Sequence, residues 1–147
     1  MKVRIQQIPA GEDEVLIRCK QVTPQVEALL RFLDAAGQKL VGMCDGVQLV
    51  VEPQEILYIE SVDGRTFLYT ARHVVRVEYT LAQLDEMLGG INFFRCSKSM
   101  ILNIDKVKAL KSLASNRIDA TMQGGEHILI SRTYASEFRR RLKGGKP

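Results

Sequence analysis

There is no tryptophan in this chain, aromatic residues make up 6% of it, and histidine occurs twice. The first two scarcities count against a reader of single-stranded RNA, because such proteins stack bases on exposed rings. The third counts against metal and acid-base chemistry. His73 and His127 each sit within or beside a strand-like run, with no second His or Cys at ligand spacing, and read as ordinary strand histidines. Cys19, Cys44 and Cys96 are odd in number and widely spaced, matching neither a disulfide framework nor a CxxC metal pattern; a reducing compartment suits them. No apolar run approaches the ~18 residues of a membrane span, and the N-terminus shows no basic stretch leading into an apolar one. Cytoplasmic residence is the expectation.

What is present is an ordinary core and an uneven charge. The 147 residues, 46% hydrophobic and 26% charged, suit a soluble domain that buries about two thirds of its unfolded surface. From residue 90 to 147 there are 12 Lys/Arg against 4 Asp/Glu, a net of +8; residues 1 to 89 carry 9 against 13, a net of −4. An acidic front and a basic back point to a polyanionic partner, nucleic acid first.

The patterning is mostly β. Residues 3–8 and 14–20 read as two short strands around the turn residues Pro9-Ala10-Gly11. Thr23-Pro24 then starts a helix with Val26, Leu29, Leu30 and Leu33 at i, i+3, i+4 and i+7, ended by Gly37. Asp45-Gly46 and Asp63-Gly64 each divide two apolar runs, residues 40–44 from 47–51 and residues 56–62 from 66–70, as tight hairpins do. Residues 73–79 continue as a further β-rich run. Thr80 and Gln83 have capping-box spacing before the stripe Leu81, Leu84 and Leu88, and Gly89-Gly90 stops that helix. Strands resume at residues 100–104, 107–110, 117–122 and 127–130, with turns at Ser115-Asn116 and Gly124-Gly125. Residues 117–122 alternate strictly, so one face should be wet. Tyr134, Phe138 and Leu142 form the stripe of a last helix whose other faces carry Arg139, Arg140, Arg141 and Lys143. Two units are expected: a β-β-α front over residues 1–38, able to dimerise, and the main domain over residues 39–147.

Enzymatic chemistry finds little support. Ser61 lies between Glu60 and Asp63, but a turn needs Asp63 and nothing aims a base at the hydroxyl. The Gly-Gly pairs lack the lysine and framing of a P-loop. Arg95 and Lys98 would lower the pKa of Cys96 were it exposed, although a buried structural thiol is the expected state. No catalytic residue, cofactor or metal is expected.

The basic residues fall where groove recognition needs them. In Phe94-Arg95-Cys96-Ser97-Lys98-Ser99-Met100-Ile101-Leu102-Asn103, small polar and basic side chains directly precede an apolar strand. A rigid strand lets such a loop enter a groove. Ser131, Arg132 and Thr133 follow the apolar residues 128–130 in the same way, and Arg65 and Thr66 follow the Asp63-Gly64 turn. Three such loops would make one footprint. Lys106, Lys108 and Lys111 are either phosphate contacts or solvated charges.

Four ordered segments resemble the LytTR DNA-binding domain family, of the AlgR/AgrA/LytR type found in bacterial response regulators. They are Ile56-Leu57-Tyr58-Ile59-Glu60-Ser61, the helix from Thr80 to Leu88, the stretch from Phe94 to Val107 with its Asn103-x-Asp105-Lys106 signature, and Ile130-Ser131-Arg132-Thr133-Tyr134. The resemblance spans residues 42 to 143. It implies an elongated β-β-β sandwich of antiparallel strands, with one inserted helix and a short C-terminal helix, whose loops enter successive major grooves at direct repeats in double-stranded DNA. On it, Lys98, Ser97, Arg132, Thr133, Arg65 and Thr66 are expected to contact bases, and Arg95, Ser99, Ser131, Lys106, Lys108 and Arg139 phosphates. Ser97 stands where the family often has His, and Thr133 where many members have a basic residue, so the operator does not transfer.

The resemblance further implies a sequence-specific transcriptional regulator, a homodimer on direct repeats, and, as an option without a sign of its own here, a small membrane-protein partner. The roughly forty residues ahead of the domain do not make a phosphoacceptor receiver, which needs on the order of a hundred; a stand-alone member is expected. The alternative is a regulatory protein-protein interaction module with an incidental basic surface.

Overall fold

Thr23 and Pro24 begin the first helix, α1 (Pro24–Ala36), in the computed structural model, which describes residues 1–89 and 92–143, without the side chains of residues 34–36. The Thr23 hydroxyl accepts from the Val26 N–H at 3.3 Å, and Pro24 takes the position where its missing N–H costs nothing. Residues 3–8 and 14–20, expected as strands, form none. An isolated two-stranded hairpin is marginal in water, and among the described residues nothing covers one here: Val3, Ile5, Val15 and Leu16 are 87%, 91%, 69% and 77% exposed. The front is therefore a segment without regular secondary structure followed by a helix.

From Leu40 onward the hairpins follow the turn chemistry. β1 (Leu40–Cys44) meets β2 (Val47–Val51) through Asp45-Gly46 at φ 49° and 78°, and β3 (Ile56–Val62) meets β4 (Arg65–Thr70) through Asp63-Gly64 at 52° and 75°. Both pairs adopt the left-handed backbone that gives a hairpin its matching twist. β5 (Val74–Val77) returns beside β4. In α2 (Leu81–Leu88) the capping box closes, with Gln83 N–H donating to Thr80 Oγ1 at 3.1 Å and Thr80 N–H to Gln83 Oε1 at 2.9 Å. Gly89 caps it; Gly90 lies outside the described residues. β6 (Phe93–Arg95) and β7 (Met100–Asn103) form a hairpin that the sequence pattern did not separate. β8 (Val107–Leu113), β9 (Arg117–Met122) and β10 (His127–Ile130) follow, and α3 (Arg132–Leu142) closes the fold.

All pairings are antiparallel. One sheet runs β2-β1-β5-β4-β3-β7-β6 and the second runs β10-β9-β8. Among the described residues one registered pair, Met43 with Arg76, ties β1 to β5, so the β1–β2 hairpin extends the edge of the large sheet through a narrow junction. Gly42 permits that approach: a Cβ there would meet the Arg76 carbonyl at 2.5 Å.

Two cores lie on opposite faces of β3, β6 and β7. Phe93, Ile59 and Ile101 pack with Leu81, Leu84 and Leu88 of α2, while Phe94 and Leu102 pack with Ile118, Ile130 and Phe138. Adjacent strand residues face opposite ways, so the Phe93-Phe94 and Ile101-Leu102 pairs place one side chain in each core. That accounts for the unbroken apolar run at residues 100–102: this hairpin is covered on both faces.

Candidate nucleic-acid interface

Hydrogen bonds join the three candidate loops at one end of the strands. The β6–β7 loop is held to the β3–β4 hairpin by Ser61 N–H donating to the Ser99 carbonyl at 2.8 Å, and to the start of α3 by Ser131 N–H donating to the Cys96 carbonyl at 3.1 Å. Within the loop, Cys96 N–H donates to the Met100 carbonyl at 3.0 Å and Ser99 N–H to Ser97 Oγ at 3.3 Å. Lys98, Ser99, Arg132, Thr133 and Arg65 are exposed around these joints; Ser97 and Ser131 are partly buried. Three short segments, far apart in sequence, thus present one cationic end on a rigid support.

Two expected contacts have other work. Arg95 folds back on its own loop, Nε donating to the Ser97 carbonyl at 3.2 Å and NH2 to the Lys98 carbonyl at 2.7 Å. It shapes the loop that carries Lys98. Thr66 is 5% exposed and faces the core, since β4 alternates and Arg65 takes the outward position. Period 2 forbids both neighbours from the same face, so Thr66, expected as a base contact, is turned away from the loop surface.

The remaining cations separate. Arg139 donates to Asn116 Oδ1 at 2.6 Å, seven residues along α3 from Arg132, or roughly 10 Å at helical rise. Lys106 follows β7 at its Asn103 end, away from the Met100 end that leads out of the recognition loop, and lines a cleft of about 820 Å³ with Arg72, His73 and Glu126. Lys108 lies near the same end as Lys106, between Val107 and Ala109 where the β8–β9 register shifts. Sequence reading missed two arginines. Arg117 reaches the recognition end because Ile118 pairs with Ile130, immediately before Ser131; strand register was the signal. Arg141 anchors α3, NH1 donating to the Phe93 carbonyl at 3.1 Å with its guanidinium 5.6 Å from the Phe94 ring centre. Burial lowers its pKa.

Cys96 is fully buried, and burial pushes its thiol up to about 12, so the neighbouring cations do not make it a reactive thiolate. The Asn103-x-Asp105-Lys106 signature is a structural corner. Asn103 is 3% exposed; its Nδ2 donates to the Ile56 carbonyl at 2.9 Å and its Oδ1 accepts from Asp105 N–H at 3.1 Å. Asn92 Nδ2 donates to Asp105 Oδ1 at 2.7 Å. Among the described residues, no group of three His, Cys, Asp or Glu is placed to hold a metal ion, and no helix is long and apolar enough to cross a membrane.

The fold and this end define an antiparallel β module that presents cationic loops, not a helix face, from a doubly covered hairpin. The LytTr DNA-binding domain family matches residues 47–143. The chain belongs to that family. It is 29% identical over 108 residues to the sensory transduction protein LytT of Bacillus subtilis (strain 168), covering 73% of this chain and 45% of LytT. It is 26% identical over 94 residues to the transcriptional regulatory protein YpdB of Escherichia coli (strain K12), covering 63% and 38%. A solved LytTr DNA-binding domain from Bacillus cereus superposes with a TM-score of 0.68 at 25% identity, over 72% of this chain and 98% of that one. The chain thus spans less than half the length of the relatives LytT and YpdB, and nearly all of a solved domain.

Proposed function

We propose that this chain is a sequence-specific transcriptional regulator that reads successive major grooves of double-stranded DNA through its loops. The observation that carries this is the joining of the β3–β4 turn, the β6–β7 loop and the start of α3 at one end, each contributing an exposed cation: Arg65, Lys98 and Arg132. Lys98 and Arg132 contact bases, with Ser97 and Thr133 beside them; Arg65 reaches the adjoining groove. Ser99, Ser131 and Arg117 serve the phosphates, together with the first N–H groups of α3, which favour an anion. Residues 39–147 form the reading unit, acting on cytoplasmic DNA as two protomers on a direct repeat.

The test is selection of bound duplexes from a random double-stranded library at near-physiological salt. A repeated motif should be enriched. Lys98→Ala and Arg132→Ala should each cost ~1–3 kcal/mol and relax preference at one position, as loss of a bidentate base contact does. Uniform weakening across sequences would demote the residue to a phosphate contact. Affinity should fall with salt at a log-log slope near −0.9 per neutralised phosphate. A folded sample that enriches nothing and binds independently of salt sinks the proposal in favour of a protein-interaction module.

A further inference from the structure

Among the described residues, the most exposed large apolar side chains lie in residues 1–23. Val3, Ile5, Val15 and Leu16 are 69 to 91% exposed, and on α1 Leu30 and Phe32 are 43% and 48% exposed although Val26 is buried. Exposed apolar surface of this extent marks an interaction site. Residues 3–8 and 14–20 are nevertheless rich in Val and Ile, as strands are, so the segment carries a strand composition that the described residues leave unpaired.

Charge disfavours the central registers in which the two runs would pair with each other. Registers that put Val3 and Ile5 on one face with Val15 and Ile17 set Lys2 opposite Lys20 and Arg4 opposite Arg18. Shifting by two residues either way sets Lys2 opposite Arg18 or Arg4 opposite Lys20. Like charges directly opposite are destabilising. The second run pairs better with itself. Centred on Ile17, antiparallel copies of residues 14–20 set Glu14 opposite Lys20 at both ends, Val15 opposite Cys19 and Ile17 opposite Ile17. This arrangement is two-fold symmetric, as a contact between identical surfaces requires.

We infer that residues 14–20 form an intermolecular antiparallel β-ribbon with a second copy of this chain, covered by Val3, Ile5, Leu30 and Phe32 of both copies. Val3, Ile5, Val15, Leu30 and Phe32 of each copy supply, in a pair, apolar surface on the order of the ~1,200 Å² at which specific interfaces begin. The inference rests on the two-protomer reading above and names a surface in the front segment alone, so the two-fold of the ribbon does not set the head-to-tail order in which residues 39–147 meet a direct repeat.

Sedimentation equilibrium of the full chain tests it. The wild type should be a dimer. Glu14→Lys and Lys20→Glu should each weaken the dimer by ~10-fold or more, because each creates two like-charge pairs per dimer. The double variant Glu14→Lys/Lys20→Glu should return to near the wild-type constant, since it only exchanges the partners. In a Cys19→Ser background, Ile17→Cys should cross-link across the two-fold under mild oxidation. A monomeric wild type overturns the inference. So does a double variant that stays dissociated, or a dimer indifferent to both single charges but broken by Val50→Lys on the β2 edge. Each variant is also measured on one half of the selected DNA repeat. Retained half-site binding shows the domain folded, and loss of that binding in an intact dimer counts against the DNA reading, not against the ribbon.

Discussion

Phe138→Ala is expected to remove about 3–5 kcal/mol from the unfolding free energy, the cost of deleting a fully buried ring. Phe138 has no exposed surface, and its ring lies 5.4 Å from that of Phe94, centre to centre, joining α3 to the β6–β7 hairpin. Domains of this kind have roughly 5–15 kcal/mol in total, so the loss is a large share. A second effect follows from placement. Arg132 stands at the start of the same helix, tied through Ser131 to the Cys96 carbonyl, and a helix that loosens its seat displaces a proposed base contact. Urea denaturation should show the lowered midpoint, and binding to the selected duplex should weaken at temperatures where the variant is still folded. A loss under ~1 kcal/mol would mean that the second core does not depend on this ring.

Asn103→Ala is expected to cost about 2–4 kcal/mol by a different route. The side chain satisfies two backbone groups, the Ile56 carbonyl and the Asp105 N–H, at a position only 3% exposed. Each group stranded without a partner costs about 1–3 kcal/mol, more than the net worth of the hydrogen bond itself. The corner that turns β7 into β8 should also lose definition, since Asn92 and Gln123 both bond to Asp105. Lys98→Ala is the control. Its exposed side chain should leave stability within ~0.5 kcal/mol while changing DNA recognition. Equal stability losses for Asn103→Ala and Lys98→Ala would contradict the division between a corner residue and a contact residue.

The loops proposed here to read DNA could be located in the sequence because each is bounded by local chemistry: the Asp63-Gly64 turn before Arg65, and the apolar strands before Ser131 and after Ser99. The roles of individual cations were not. Arg95 and Lys98 look alike in sequence, yet one binds carbonyls of its own loop and the other faces solvent. Loop closure decides that, and nothing in residue order encodes it. Arg139 was expected at a phosphate and Arg141 stood only as one charge among several on the last helix, but the packing of α3 brings them to Asn116 and Phe93. Thr66 was misread by extending a loop one residue into a strand whose alternation turns it inward.

The front shows the opposite failure. Residues 3–8 and 14–20 carry a clear β pattern, and the chain forms no strand there because pairing needs a partner as well as a pattern. By itself the sequence determined the hairpins at the two Asp-Gly turns, the capped helix α2, the buried run at residues 100–102 and the uneven charge, all consequences of neighbours within a few residues. Tertiary structure alone decided that the β1–β2 hairpin hangs from one registered pair, that Phe93 and Phe94 serve separate cores, and that three distant loops share one end. Those features depend on register and on which backbone groups meet across the chain, and such long-range contacts have no counterpart in local periodicity.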